Sequence, residues 1–187
     1  GEFDLFGEHL ANMAAEARER GDVYHVVGAL SWSYVRHLCD DRSDLAEEGL
    51  AEAKRQWNAE GFQLQHFWHM NGRVETALYQ GHGREAWQIV SESWGPLKRS
   101  FLLEDQLVRI LCHYLRGRAA LAALAESESF FRSVWLRHTA RSSARTLAGE
   151  NMPWSQPLAA IVRAQLEHLS GHHSNTLELL EEATEDF

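Results

Sequence analysis

The chain has 187 residues, 44% of them hydrophobic, and a formal charge of −9. That length and apolar content suit one domain with a real core. The acidic balance, with no basic stripe to displace counterions, argues against a nucleic-acid backbone as partner. No run of about eighteen apolar residues exists to span a membrane.

Proline is scarce and strand-like alternation is missing, so the pattern predicts an all-α fold. Cys39 and Cys112 lie in apolar helical contexts and read as reduced core thiols, which places the chain in the cytoplasm. There is no secretory signal. Gly1-Glu2-Phe3 reads as a vector-derived scar, leaving residues 4–187 as one helical domain cut from a longer protein.

In chain order, a first helix is expected from about Leu5 to Arg20, ended by Gly21. Asp22 caps a second from Val23 to about Cys39. Asp40-Asp41-Arg42-Ser43-Asp44 is a turn, and Ser43 or Asp44 caps the helix carrying Ala46, Leu50, Ala53 and Trp57. Gly61 closes it. The next pair of helices turns at Gln80-Gly81 and ends at Gly95-Pro96, where proline stops a helix. A long apolar helical stretch follows from Leu97 to about Ala125, with Gly117 inside it marking a close contact or a kink. Glu126-Ser127-Glu128-Ser129 caps a helix from Phe130 to about Leu147. Gly149 to Pro153 is a break, Gln156-Pro157 starts a helix to Ser170, and Gly171 turns the chain into a last helix from Ser174 to about Glu185. The total is about ten helices.

The stretch from Trp68 to Trp94 is the clearest unit: helix, glycine turn, helix. Gly81 and Gly83 bracket the break, and Ala86, Val90 and Ser93 form the inner seam of its second helix. The same spacing recurs at Leu10-Ala14-Ala17, Ala46-Leu50-Ala53, Ser133-Arg137-Ala140 and Thr176-Leu180-Ala183. The copies begin at residues 10, 46, 86, 133 and 176, steps of 36, 40, 47 and 43. A strict tetratricopeptide array steps by about 34, so these resemble elongated tetratricopeptide-like hairpins. Self-similarity of this kind predicts an α-solenoid, a superhelix in which each hairpin buries its apolar face on its neighbours. Leu177, Leu179 and Leu180 near the end imply a missing polar cap, or self-association through the terminal hairpin.

Three segments, RGDVYHVVGAL, GFQLQHFWHMNGRVETALYQGHGREAW and MPWSQPLAAIVRAQLEHLSGHHSNTLELLEEA, resemble the C-terminal helical-repeat region of large bacterial serine/threonine protein kinases. The resemblance covers most of residues 15–187, including Trp57, Gly61, Trp87 and Pro153-Trp154. It implies a regulatory, partner-binding module without chemistry of its own. The chain lacks the kinase glycine-rich loop, strand-borne lysine, HRD loop and DFG segment. Gly81-His82-Gly83 is no nucleotide fingerprint, because no strand precedes it and the third glycine is absent.

Other chemistry is weakly signalled. His66/His69 and His168/His172 can each share a helix face, yet a zinc site needs three or four ligands, so packing or surface histidines are the simpler reading. No metal, cofactor or catalytic residue is assigned. Trp57, Trp87 and Trp94 fit packing between repeats, whereas Trp68 is turned towards the groove by the repeat template. In that template the first helix of each hairpin lines the concave side. Counting from Gly81 puts Trp68, Asn71, Glu75, Leu78 and Tyr79 there, and the preceding hairpin supplies Gly28, Ser31, Val35 and Leu38. Arg109, His113 and Arg116 extend the wall. The alternative is that these side chains face water or a neighbouring helix.

The sequence thus points to a non-catalytic protein- or peptide-binding regulatory domain, its partner another protein or another domain of the same one. Rivals are a repeat sensor domain of a signalling ATPase or transcription regulator, and a metal-dependent enzyme using the helix-borne histidines. ATP incubated with the purified chain and a general protein substrate should show no turnover above a blank. Hydrolysis that survives repurification would reveal a site the motifs do not show.

Overall fold

The computed structural model describes residues 1–57 and 59–185. It is 82% helical, with no strand among the described residues. The elements are α1 (Glu2–Glu19), α2 (Val23–Trp32), α3 (Tyr34–Cys39), α4 (Ser43–Gln56), α5 (Leu64–Tyr79), α6 (Gly83–Arg99), α7 (Gln106–Ala125), α8 (Phe130–Gly149), α9 (Ser155–His168) and α10 (His173–Glu185). A short 3₁₀ turn, Leu102–Glu104, precedes α7. At Ser33, between α2 and α3, the hydroxyl donates to the Leu30 carbonyl at 2.8 Å, a local bond that competes with the helix ladder.

The turns are regular. Left-handed residues stand at Gly21, Asp41, Gly61, Gly81 and Phe101, one every 20 residues, and again at Asn151 and Gly171. The interval from Phe101 to Asn151 is longer because it spans two 20-residue helices, α7 and α8, whose connecting turn holds no left-handed residue. Asp22 caps α2 through the His25 amide, and Asp105 caps α7 through the Val108 amide.

Each helix packs on its sequence neighbours. The first helices of successive hairpins, α2/α3, α5, α7 and α9, also pack side by side. The second helices α4, α6, α8 and α10 make no comparable contact with one another. One layer is therefore continuous and the other is split by furrows. A cavity of about 510 Å³ lies between α4 and α6 over α5, and another of about 530 Å³ lies between α8 and α10 over α9.

The core is rich in alanine. Ala17, Ala46, Ala53, Ala86, Ala119, Ala140 and Ala159 are fully buried, with Phe67, Leu97, Ile110, Leu136 and Leu147 filling the space between. Gly117 packs against Val162 of α9 and Ser143 of α8, the close contact its place inside the helix implied.

Several expectations need correction. Pro96 does not end α6, which runs on to Arg99. Proline forfeits only the bond to the exposed Glu92 carbonyl, and fully buried Leu97 anchors the last turn. The stretch from Leu97 to Ala125 is not one helix. It breaks at Phe101, whose left-handed conformation no glycine or proline signals. Cys39 is exposed at the end of α3, and only Cys112 is a core thiol, its pKa pushed up to about 12 by burial. Gly83 is not a turn residue. It begins α6 where a Cβ would lie 2.5 Å from the Ala122 carbonyl carbon. Glu126, read as a cap for α8, instead accepts from the Gly83 and Arg84 amides at 2.5 and 3.3 Å and closes the start of α6.

These contacts predict a ranking of variants in urea unfolding. Gly83→Ala should cost about 1 kcal/mol or more, and Ala86→Trp about 1–3 kcal/mol or more, by overpacking. Gly149→Ala meets open space in helical backbone and should stabilise by roughly 0.5–1 kcal/mol. Equal effects at Gly83 and Gly149 would contradict the close approach of α6 to α7.

Candidate functional site

The stripe of α5 at Trp68, Asn71, Glu75 and Leu78 follows a three-to-four spacing and faces the neighbouring first helices. Asn71 is buried, and its Nδ2 donates to Tyr34 Oη of α3 at 2.9 Å. Burial, reinforced by the Glu75 charge, pushes the Tyr34 phenol well above its ordinary pKa. Glu75 is half-buried and accepts from Arg118 Nη1 of α7 at 2.5 Å. The Arg118 guanidinium lies 5.0 Å from the centre of the Tyr114 ring, within cation–π range. A polar line therefore crosses α3, α5 and α7.

Beyond Arg118 the line opens into a cavity of about 470 Å³. Leu78 of α5, Leu121 of α7, and Leu169 and Leu180 beside α9 and in α10 make its apolar wall; Arg118, Gln165, His168 and Thr176 supply polar groups. Both α5 and α9 line it, and each packs on α7, so the cavity lies over α7 between them. Its size and mixed lining match ordinary ligand pockets, roughly 300–1,000 Å³. A larger cavity, about 660 Å³, lies elsewhere, between α1 and α4. Its half-buried Arg36 is already held by Asp4 and Asp40, so the smaller cavity is the better candidate.

The structure redistributes the residues assigned from sequence. Asn71, Glu75 and Leu78 do come together. Asn71 is not an exposed groove residue, however, because α3 covers it. Ser31 is fully buried, not a groove wall. Trp68 is half-buried between α2 and α5, its ring packed where a Cβ on Gly28 would sit and edge-on to Tyr24 at 5.7 Å. Val35 is half-buried on α3. Tyr79 is exposed and donates to the Asp41 carboxylate at 2.7 Å.

Arg109, His113 and Arg116 lie on the other side of α7 from Tyr114 and Arg118. Arg109 donates to Glu150 at 2.5 and 2.7 Å and to the Leu103 carbonyl, clamping two turns together. His113 meets Trp94 edge-on at 5.3 Å, and Arg116 stacks over the same ring at 4.1 Å. These three do not extend the inner wall. Tyr34, Tyr114, Arg118 and Leu121 were not singled out in the sequence, and His168 was weighed only with His172 as a metal pair. Only the four-residue spacing of Tyr114 and Arg118 could have been seen locally.

The histidine pairs do not converge. His66 accepts from the Gln63 amide at 3.1 Å, and His69 lies against α4. His172 engages Glu167 at 2.7 Å, whereas His168 neighbours His173. Among the described residues no group of three or more His, Cys, Asp or Glu could hold a metal ion. No helix among them is long and apolar enough to cross a membrane. One electrostatic expectation fails: α8 contains Arg132, Arg137, Arg141 and Arg145 with no carboxylate, so a short basic stripe is present.

No family model, curated protein or solved structure matches the chain.

Two histidines give the protein a signed pH dependence. Burial, then the nearby Arg116 charge, lowers His113 to about 4; burial, then Arg73 and Lys54, lowers His69 to about 4. Below pH 6.5, the ordinary histidine value, the unfolded chain binds protons that the folded chain refuses until about pH 4. Stability present above that value is therefore lost as pH falls, by roughly 1–3 kcal/mol per histidine. Thermal unfolding at pH 7 and pH 4.5 should show the loss, and His113→Phe should shrink it. An unchanged pH slope in that variant would contradict the assignment.

Proposed function

We propose that this chain is a non-catalytic peptide-binding repeat domain. Its helices form an α-solenoid of tetratricopeptide-like hairpins, with α2/α3, α5, α7 and α9 as the concave layer. The resemblance to the repeat region of bacterial serine/threonine kinases makes it a regulatory segment of such a protein. The bound peptide comes from a partner or from another domain of the same chain.

The observation carrying this reading is the cavity at the junction of α5, α7 and α9. It combines leucine walls with a guanidinium that is only partly engaged by Glu75. Arginine offers a fork of donors, and one bond to Glu75 leaves capacity for a second carboxylate. The ligand then presents an apolar side chain to Leu121, Leu169 and Leu180, and a carboxylate or carbonyl to Arg118. Tyr114 and Glu75 hold the guanidinium in place, which lowers the cost of ordering it on binding.

The test is selection of peptides from a random library on the immobilised chain, followed by titration of the winners. Leu180→Arg at the exposed rim should weaken them at least tenfold while the thermal midpoint stays put. Selected peptides that bind Leu180→Arg and the parent chain equally would remove the cavity from the account.

A further inference from the structure

The outer layer carries a second surface that the concave site does not use. Phe130, Phe131, Val134 and Trp135 occupy the first turns of α8 and are 75%, 84%, 52% and 50% exposed. Single exposed apolar residues are ordinary, but four large ones within six positions are not. Farther along the same helix, His138, Arg141 and Arg145 are exposed. None of the ion pairs among the described residues includes Arg132, Arg141 or Arg145. In a chain of net charge −9, a helix with four arginines and no carboxylate is a local reversal of sign.

We propose that the outer ridge of α8 docks an acidic amphipathic helix of another polypeptide, apolar at one end and carboxylate-bearing at the other. From Phe131 to Arg145 the ridge is one helix wide and about 21 Å long at 1.5 Å per residue. Its aromatic end is fixed before any partner arrives. Trp135 stands edge-on to Trp87 of α6 at 5.0 Å, and Trp87 is buried. A ring so held loses little freedom on binding. Arg141 and Arg145 are four residues apart, so carboxylates one helical turn apart on the partner meet both.

The order of these groups selects the occupant. An anionic membrane would take apolar side chains ringed by basic ones. Here exposed Glu128 stands two residues before Phe130 and would be pressed against the headgroups. A nucleic-acid strand would take aromatic faces interleaved with cations. Here the apolar cluster and the Arg141–Arg145 pair are segregated along the ridge. Glu178 and Glu182 of α10 line the same furrow as Arg141 and Arg145. They confine the partner's carboxylates to the α8 side and so fix its register.

The experiment uses the full chain and a fluorescein-labelled synthetic helix with leucines in its first half and glutamates in its second. Anisotropy at low salt should report binding that weakens as salt rises. The double variants Phe131→Ser/Trp135→Ser and Arg141→Glu/Arg145→Glu should each weaken it at least tenfold. Circular dichroism of both variants should match the parent, since all four positions are exposed. The same peptide with lysine for glutamate should not bind. Equal binding to parent and Arg141→Glu/Arg145→Glu would overturn the proposal. So would absence of peptide binding together with capture of phosphatidylglycerol vesicles or of a single-stranded oligonucleotide.

Discussion

Alanine stands where these helices cross, and the close approach it permits governs the rest of the molecule. Ala17, Ala46, Ala53, Ala86, Ala119, Ala140 and Ala159 have no exposed surface. None fills much volume, so each helix must come near its neighbour to exclude water, and the larger residues then interdigitate around the crossings. Gly83 carries the same constraint to its limit, where α6 starts against the backbone at Ala122. One buried cluster runs from Phe67 of α5 to Leu166 of α9, so neighbouring hairpins share a core.

The functional surfaces follow from that packing. Side-by-side contact of α5, α7 and α9 leaves their exposed edges as a shallow trough, and separation of α4, α6, α8 and α10 leaves furrows on the other side. Polar groups in the trough are partly buried, so they must satisfy one another. Asn71 with Tyr34 and Glu75 with Arg118 do so. Removing one member of such a pair leaves the other short of a partner, which costs more than the pair itself contributes. The same residues therefore stabilise the packing of α3, α5 and α7 and line the approach to the cavity. The cavity rim, at Leu180 and His168, is where the two roles separate.

The sequence carried the fold well where the information is local. The seam at Ala46, Leu50 and Ala53, and that at Ala86 and Val90, is buried as the three-to-four spacing requires. Gly81 takes the left-handed turn from which faces were counted. The last copy holds only in part, because Thr176 and Ala183 are buried but Leu180 is exposed on the cavity rim. What was not legible is contact between residues far apart in the chain. Asn71 lies 37 positions from Tyr34 and Glu75 lies 43 from Arg118, and neither pairing leaves a local mark. A repeat template assigns faces to one helix at a time, so it placed Asn71 in the open and Arg109, His113 and Arg116 on the wrong side of α7. On α8, aromatic residues that a core would welcome stand in solvent, a reversal that composition does not reveal.

The most direct measurement is hydrogen–deuterium exchange of the chain alone and with a partner captured from the source cells. A partner bound in the trough should bring protection across the ends of α5, α7 and α9, in residues 71–79, 114–122 and 164–169. Protection confined to α4 and α6, with those three segments unchanged, would contradict binding there.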